Sequence, residues 1–390
     1  MSSSHIRFGL RRLLFSSWPS RHAFLVAGLV SGYVLHRKTV STEASLDPAK
    51  NSVVASYEDR IRKYSHPQKV FSYFASERRD GTPYMTIQDL IRSLTPSKAT
   101  SSTEQKPIPP ESLSFFKLAD IDADGLISFE EYLFFLALLS TGEASWKVAF
   151  RLFDEDGNGV VSLREFKKIV SSNMRATSAK SLGSRERIDL SSSTSLLRLF
   201  FGERGEKTLS LDEFASFMSR LHTEVSRLEF SQYVESDASD NSISVVDFGR
   251  AVVAYDARPE RYVKRLESRS NGGEDGGGAR VTFFEFLNFD SMVRNYLNEI
   301  EVAVKLYGRN GLDRDKLTRI IRTVAYTSLT PSQMDAIFYM FDPSRSGKAI
   351  DGEELCNVLR KRVARNLDGP RSTQWGVGEF LGKLRDCISS

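Results

Sequence analysis

Two twelve-residue segments, 120–131 and 154–165, constrain the fold of this chain more than any other part of its sequence. A calcium ion takes about six to eight oxygen ligands, and the EF-hand loop supplies them from positions 1, 3, 5, 7, 9 and 12, with glycine at position 6 for the turn. Both segments match at each of these positions. The predicted calcium ligands are Asp120, Asp122, Asp124, the Leu126 carbonyl, Ser128 and Glu131 in the first loop, and Asp154, Asp156, Asn158, the Val160 carbonyl, Ser162 and Glu165 in the second.

Apolar residues at helical spacing flank both loops, which predicts a helix, a loop and a helix twice in succession. At position 8, Ile127 and Val161 are β-branched and apolar, as expected where paired loops join through a short antiparallel strand contact. An acidic surface turn is the alternative for a single loop, but two full matches favour metal binding. The first loop carries four carboxylates and the second three, so the first is expected to bind calcium more tightly.

Other segments of the chain end like EF-hand loops but lack most of the ligands. They are Met85–Leu90, Leu209–Phe214, Ile243–Phe248, Val281–Phe286 and Leu312–Leu317. For the loop that ends at Glu213, for example, Arg204 falls at position 3. We call these segments degenerate loops. Their pattern indicates EF-hand units that pack in the fold but do not bind calcium.

The last repeat, 341–355, keeps an acidic residue at each end but has a shifted spacing. Apolar Ile350 falls at position 9, and the acidic end comes one residue late, as expected for a one-residue insertion. Its candidate ligands form a possible weak calcium site: Asp342, Ser344, Ser346, Glu353 and Glu354.

These repeats predict an all-α, multi-EF-hand protein with paired helix-loop-helix lobes and short antiparallel contacts between loops. The chain has 390 residues, of which 40% are hydrophobic, enough for several helical cores. The predicted divisions are a leader (1–43), an N-terminal domain with a basic helix and the first calcium loop (44–140), a lobe with the second loop (141–235), a degenerate pair (236–300), a C-terminal lobe (301–365) and a C-terminal helix or tail (366–390).

The leader is rich in arginine and serine and has no acidic residue before Glu43, which is typical of a mitochondrial or plastid transit peptide. Its six basic residues account for the basic balance: without them the net charge of +4 becomes about −2, so nothing favours nucleic acid binding. An uncharged run, Ala23–Leu35, is shorter than the roughly 20 residues of a membrane-spanning helix. It is interpreted as the apolar side of the targeting peptide, with a membrane anchor as the alternative.

The sequence has no catalytic motif, and its five histidines, three of them in the leader, do not form a catalytic or metal-binding pattern. The chain is therefore predicted not to be an enzyme. Cys356 is expected to be a core thiol, whereas Cys387, near the chain end, could pair with another chain in an oxidising compartment.

Five segments together resemble the MICU family, the mitochondrial calcium uptake regulators that gate the calcium uniporter. They are Tyr57–Ala75, Gly125–Phe135, Phe153–Gly159, Phe200–Gly202 and Leu221–Phe230. A complete loop at Asp120, ahead of the one at Asp154, resembles the plant-type branch.

The resemblance implies a calcium-sensing gatekeeper in the intermembrane space, peripheral on the inner membrane, that docks on the uniporter pore subunit and inhibits uptake at low calcium. It also implies a homo- or heterodimer with a MICU-type protein. The family uses basic residues of the segment Tyr57–Ala75, here called the front segment, for the pore contact. The matching residues are Arg62 and Lys69, whereas Ser72 replaces a third. The alternative is that Arg62 and Lys69 are only the solvated face of an amphipathic helix.

In the family the C-terminal hand normally binds calcium, so its shifted spacing here is a departure. Two other functions stay open: an EF-hand calcium buffer or adaptor for another mitochondrial or plastid partner, and the regulatory part of a calcium-activated enzyme or carrier. The absence of a catalytic motif counts against the last.

Overall fold

The computed structural model describes residues 57–96, 110–140, 142–170, 195–235, 241–270, 279–308, 311–342, 344 and 348–364. The predictions for the leader, the Ala23–Leu35 run, Ser346, Cys387 and the tail 366–390 lie outside these residues. The described residues all belong to one compact unit, Pro48–Ser390. None of their helices is both long and apolar enough to cross a membrane.

Helices dominate the described residues, which confirms the predicted fold class. The helices are α1 (57–64), α2 (Pro67–Phe74), α3 (Ile87–Leu94), α4 (Pro110–Phe116), α5 (Phe129–Ser140), α6 (Glu143–Phe153), α7 (163–170), α8 (Ser195–Phe201), α9 (Leu211–Ser231), α10 (Val245–Val253), α11 (Glu260–Ser270), α12 (Phe283–Tyr307), α13 (Arg314–Ala325), α14 (Pro331–Phe341) and α15 (Gly352–Ala364). The strands are β1 (Glu77–Arg79), β2 (Thr82–Tyr84), β3 (Val160–Val161), β4 (Leu209–Ser210), β5 (Ser242–Ser244) and β6 (Arg280–Thr282).

In several degenerate loops the acidic residue at the end has a structural use without calcium. At the start of α9, Ser210 accepts a hydrogen bond from the Glu213 backbone N–H, and the Glu213 carboxylate accepts one from the Ser210 backbone N–H at 3.0 Å. Thr282 and Glu285 form the same reciprocal capping box at the start of α12. Such a box satisfies backbone N–H groups that the first helical turn leaves unpaired. The acidic end therefore persists where the metal ligands are absent.

The loops pair two by two through short antiparallel contacts, which confirms the expectation from position 8. The partners, however, are not the two complete loops. Ile127 pairs with Met85, and β3, which contains Val161, pairs with β4. Further along, β5 pairs with β6, and Leu312 pairs with Ile350. Each complete loop is therefore joined to a degenerate loop.

Two hydrophobic cores hold these pairs together. The first runs from Ile61 to Leu228 and the second from Phe230 to Leu359. The 21-residue helix α9 contributes to both, because its buried residues continue from one core to the other. The domain boundaries expected from the sequence stay a prediction.

Candidate calcium-binding sites

In the first loop the carboxylates of Asp120, Asp122 and Asp124 offer oxygens within 4.8 Å of one another. The loop holds this shape with its own backbone, since the Asp120 carboxylate accepts hydrogen bonds from the N–H groups of Asp124 at 3.1 Å and Gly125 at 3.0 Å. Gly125 has φ +86°, a left-handed conformation that favours glycine at the turn. Three anionic groups so close together form a site for a hard cation.

Glu131, at position 12 of the first loop, is buried, with only 1% of its surface exposed. One carboxylate oxygen accepts from the Ile121 N–H at 2.7 Å, and the other from the N–H and hydroxyl of Ser128, both at 2.8 Å. Burial raises the pKa of Glu131 to about 8, and the negative charge of Asp122 adds to the rise. Burial and the charge of Asp124 likewise raise the pKa of Asp122 to about 6. A divalent cation would offset this crowding of negative charge.

A cation from outside the first loop already contacts one of its predicted ligands. The guanidinium of Arg79, on the hairpin β1–β2, forms a salt bridge with the Asp124 carboxylate and donates to the Asp124 carbonyl at 3.1 Å. Arg79 is not among the site residues predicted from the sequence, because its hairpin belongs to the degenerate loop before the first complete one. The signal that could have found it is the short turn Asp80-Gly81, where both residues have positive φ.

The second loop has the same internal hydrogen bonds but less negative charge. Oxygens of Asp154, Asp156 and Glu165 lie within 4.8 Å of one another. Glu165 accepts from the Ser162 N–H at 2.8 Å and from its hydroxyl at 2.7 Å. These hydrogen bonds lower the pKa of Glu165, in contrast with Glu131. At position 5, Asn158 supplies a neutral amide oxygen that accepts from the Val160 N–H at 2.9 Å.

The candidate weak site in the last repeat is arranged differently. Because Ile350 pairs with Leu312 as Ile127 pairs with Met85, Glu354 occupies the place that corresponds to Glu131. Its carboxylate instead accepts from the Tyr262 hydroxyl at 3.0 Å and forms a salt bridge with Arg261 at 2.8 Å.

The other described candidate ligands of the last repeat lie in different environments. Asp342 is buried and accepts from the N–H and hydroxyl of Ser344, while Glu353 is exposed. Among the described residues, three-carboxylate groups with metal-binding geometry occur only in the first and second loops.

Arg62 and Lys69, the residues matched to the family's pore contact, have different environments. Lys69 is exposed on α2. Arg62 is only 7% exposed, and its guanidinium donates to Asp59 at 2.6 Å, to Glu58 at 3.2 Å and to the Arg92 carbonyl at 2.9 Å. The interpretation of Arg62 as part of a solvated face is therefore wrong. That Arg62 itself contacts a partner stays a prediction, and within this chain its buried guanidinium is bonded to intramolecular acceptors.

The paired helix-loop-helix units and the two complete loops define a multi-EF-hand calcium-binding protein, and comparisons with known families agree. The family described as EF hand domain matches residues 145–173, the EF hand family matches 114–136, and the EF-hand domain pair matches 309–362. The prediction of Ca²⁺ as the bound metal is thereby confirmed.

Similar proteins identify the family. The chain is 30% identical over 355 residues to calcium uptake protein 1, mitochondrial, of Danio rerio, covering 82% of this chain and 70% of that protein. It is 29% identical to the Homo sapiens protein of the same name, with 82% and 71% covered. The chain belongs to this mitochondrial calcium uptake (MICU) protein family, as the sequence resemblance predicted. These relatives are calcium uptake proteins rather than enzymes, which confirms the prediction that the chain is not an enzyme.

Solved structures share the fold. The apo state of EFHA2 is similar with a TM-score of 0.56 at 25% identity, covering 77% of this chain and 98% of that one. The apo structure of the mitochondrial calcium uniporter protein MICU2 has a TM-score of 0.57 at 22% identity, covering 82% and 94%. The latter likeness concerns the fold alone.

Proposed function

We propose that this chain is a calcium-sensing regulator of the mitochondrial calcium uniporter, which inhibits calcium uptake at low calcium and permits it when its EF-hands bind calcium. The relatives are named as mitochondrial calcium uptake proteins, and one structural neighbour is named as a uniporter protein. The observation that carries the proposal is the convergence of carboxylates in two loops that each match the calcium-ligand pattern.

The proposed calcium ligands are the two sets of six residues in the loops 120–131 and 154–165. In each loop the position-12 glutamate is hydrogen-bonded to loop N–H groups and also lies in the first turn of the helix that leaves the loop. An ion that draws this carboxylate inward would therefore move α5 or α7. Calcium then favours one arrangement of each helix pair, to the extent that the ion binds that arrangement better.

The proposed partner is the pore subunit of the uniporter. A pore mouth that selects cations presents acidic rings, and exposed basic side chains complement them. In the front segment, Lys69 and Arg60 are exposed and suit this contact, whereas Arg62 is buried. The proposal includes a place in the intermembrane space, peripheral on the inner membrane, and a homo- or heterodimer with a related protein.

A calcium buffer or adaptor for another organellar partner is the second candidate function. A buffer hand changes its shape little when calcium binds, whereas a sensor hand opens. A buffer would also not require a basic residue at position 69. These two differences separate the candidates.

The experiment is capture of the uniporter pore subunit by the tagged full chain from mitochondria depleted of the endogenous protein. With a calcium chelator present, we expect the wild-type chain to capture the pore subunit and to release it when calcium is added. Glu131→Gln combined with Glu165→Gln should hold the pore at both calcium levels, and Lys69→Glu should capture it poorly.

The matched control is Lys264→Glu, which reverses an exposed lysine on α11 in the second half of the chain. It should behave like the wild-type chain. Capture that is independent of calcium, or equal losses for Lys69→Glu and Lys264→Glu, would contradict the proposed gatekeeping surface.

A further inference from the structure

The helix that leaves the first calcium loop packs directly on the front segment. On α5, Phe129 and Tyr132 lie close to Glu131 on either side of it in the sequence. Both rings contact Phe71 of α2, with ring centroids 5.2 Å and 5.5 Å apart. Because interiors are close-packed, a displacement of α5 cannot leave Phe71 where it is.

Arg62 connects the front segment to α3, the helix that follows the degenerate loop paired with the first calcium loop. Its guanidinium donates to the Arg92 carbonyl, near the end of α3, while Glu58 of α1 forms salt bridges with both Arg62 and Arg92. The guanidinium also lies 4.8 Å from the centre of the Phe74 ring on α2. One buried side chain therefore contacts α1, α2 and α3.

These two sets of contacts meet at one place. Arg62 of α1, Val70 of α2, Ser93 of α3 and Tyr132 of α5 line the same small cavity. Four helices thus converge on it, and two of them, α3 and α5, leave the paired loops joined by Met85 and Ile127. A guanidinium with three acceptors has few alternative arrangements, so it moves together with the groups that bind it.

We infer that Arg62 is a positioning residue that couples the calcium state of the first loop to the orientation of the front segment, Tyr57–Ala75. The inference deepens the proposed function and rests on it in one respect, since Lys69 on this segment is there taken as the contact with the pore. Glu131 would help to hold a calcium ion in the first loop; a resulting shift of α5 would move Phe71, and Arg62 would fix how α1 and α2 follow relative to α3. Arg62 therefore acts inside the regulator and not on the partner's surface.

The test is hydrogen–deuterium exchange of the purified full chain with and without calcium, together with a calorimetric titration of calcium. In the wild-type chain we expect calcium to change the amide protection of residues 67–74. Arg62→Gln should lose this change while still binding as many calcium ions as the wild type. Arg62→Lys, which keeps the charge but not the forked geometry, should restore part of it.

The matched control is Arg78→Gln, an exposed arginine on the hairpin β1–β2, which should keep the full change in protection. If Arg62→Gln does not fold, Phe71→Leu provides a second variant: it keeps an apolar side chain but removes the ring contacts, and it should weaken the response of residues 67–74. A wild-type response in Arg62→Gln, or in Phe71→Leu where that variant is used, would overturn the inference. Since no partner is present, failure to capture the uniporter would not affect this result.

Discussion

Ile127 and Met85 exchange two backbone hydrogen bonds, of 2.9 Å and 2.8 Å, and so join a loop with a full ligand set to a loop without one. Val161 and Leu209 repeat this relationship in the second pair. In each pair one loop is built to respond to calcium, and its partner provides a strand contact and a capped helix. We therefore expect each pair to take up a single ion and to act as a separate switch.

Replacement of the position-12 glutamates tests this independence. Glu131→Gln and Glu165→Gln should each weaken one site by about tenfold or more, which corresponds to about 1.4 kcal/mol, because an anionic ligand becomes neutral. Glutamine can still accept the hydrogen bond from Ser128 or Ser162 that caps the following helix. Calorimetry should then show one strong site fewer in either variant. Loss of both sites from one substitution would contradict two separate switches.

Arg79 is expected to lower the calcium affinity of the first loop, because its guanidinium pairs with Asp124 and opposes an incoming cation. The pair is partly exposed, and such pairs contribute about 0.2–1 kcal/mol, so Arg79→Gln should tighten binding by up to about fivefold. The titration is made with Glu165→Gln in the background, so that only the first loop responds. Added salt should shrink the difference.

The control for Arg79 is Arg78→Gln on the same hairpin, where the side chain donates to the Gly81 carbonyl and not to a loop carboxylate. Its calcium affinity should equal that of the parent. If Arg79→Gln binds calcium no more tightly than Arg78→Gln, the Asp124 contact does not tune the site.

The two complete loops should respond differently to pH. Burial raises the pKa of Glu131 to about 8, so calcium must displace a proton from it below that pH. The affinity of the first loop should fall by up to about tenfold per pH unit below 8. Hydrogen bonds lower the pKa of Glu165, so the second loop should change little over the same range. Titrations of Glu165→Gln and Glu131→Gln at pH 6 to 8 isolate the two loops, and equal slopes would contradict the assignment.

The raised pKa of Glu131 should also make the calcium-free fold less stable as the pH rises, whereas the calcium affinity of the first loop increases. Folded Glu131 keeps a proton that the unfolded chain releases above the ordinary value of 4.5. Its contribution to the free energy of unfolding is therefore favourable at low pH and is lost as the pH rises from 4.5 towards 8. Calcium should raise the Tm most at the upper end of this range, as thermal unfolding with and without calcium can measure.

Several features of the site follow from sequence patterns, and others depend on contacts between distant residues. The ligand positions and the strand contact at position 8 are local properties of twelve residues. The choice of partner loop is not, because Met85, Ile127, Val161 and Leu209 are all apolar and equally suited to the contact. Burial of Arg62 likewise depends on the Arg92 carbonyl, 30 residues away, so a helical pattern alone leaves it on a solvated face.

A buried ion network should contribute strongly to stability. Arg362 of α15 is 3% exposed and donates to Glu229 of α9 at 2.8 Å and to Asp290 of α12 at 3.0 Å. Removal of one partner leaves buried charges uncompensated, so Arg362→Gln should lower the free energy of unfolding by about 3–5 kcal/mol. Arg360→Gln, also on α15, breaks a partly exposed pair with Glu301 of α12 and should cost at most about 1 kcal/mol. Urea unfolding measures both, and similar losses would refute the difference.

The last repeat should not add a third calcium ion. Glu354 lies where a position-12 ligand belongs, but its carboxylate forms a salt bridge with Arg261 and accepts a hydrogen bond from Tyr262, which is 92 residues away in the sequence. Asp342→Asn should therefore leave the number of bound calcium ions unchanged, whereas Glu131→Gln in the same assay removes one strong site. Three ions on the wild-type chain and two on Asp342→Asn would show that the loop binds calcium. In that case Glu354 must exchange Arg261 for the ion, and Arg261→Gln should tighten the third site.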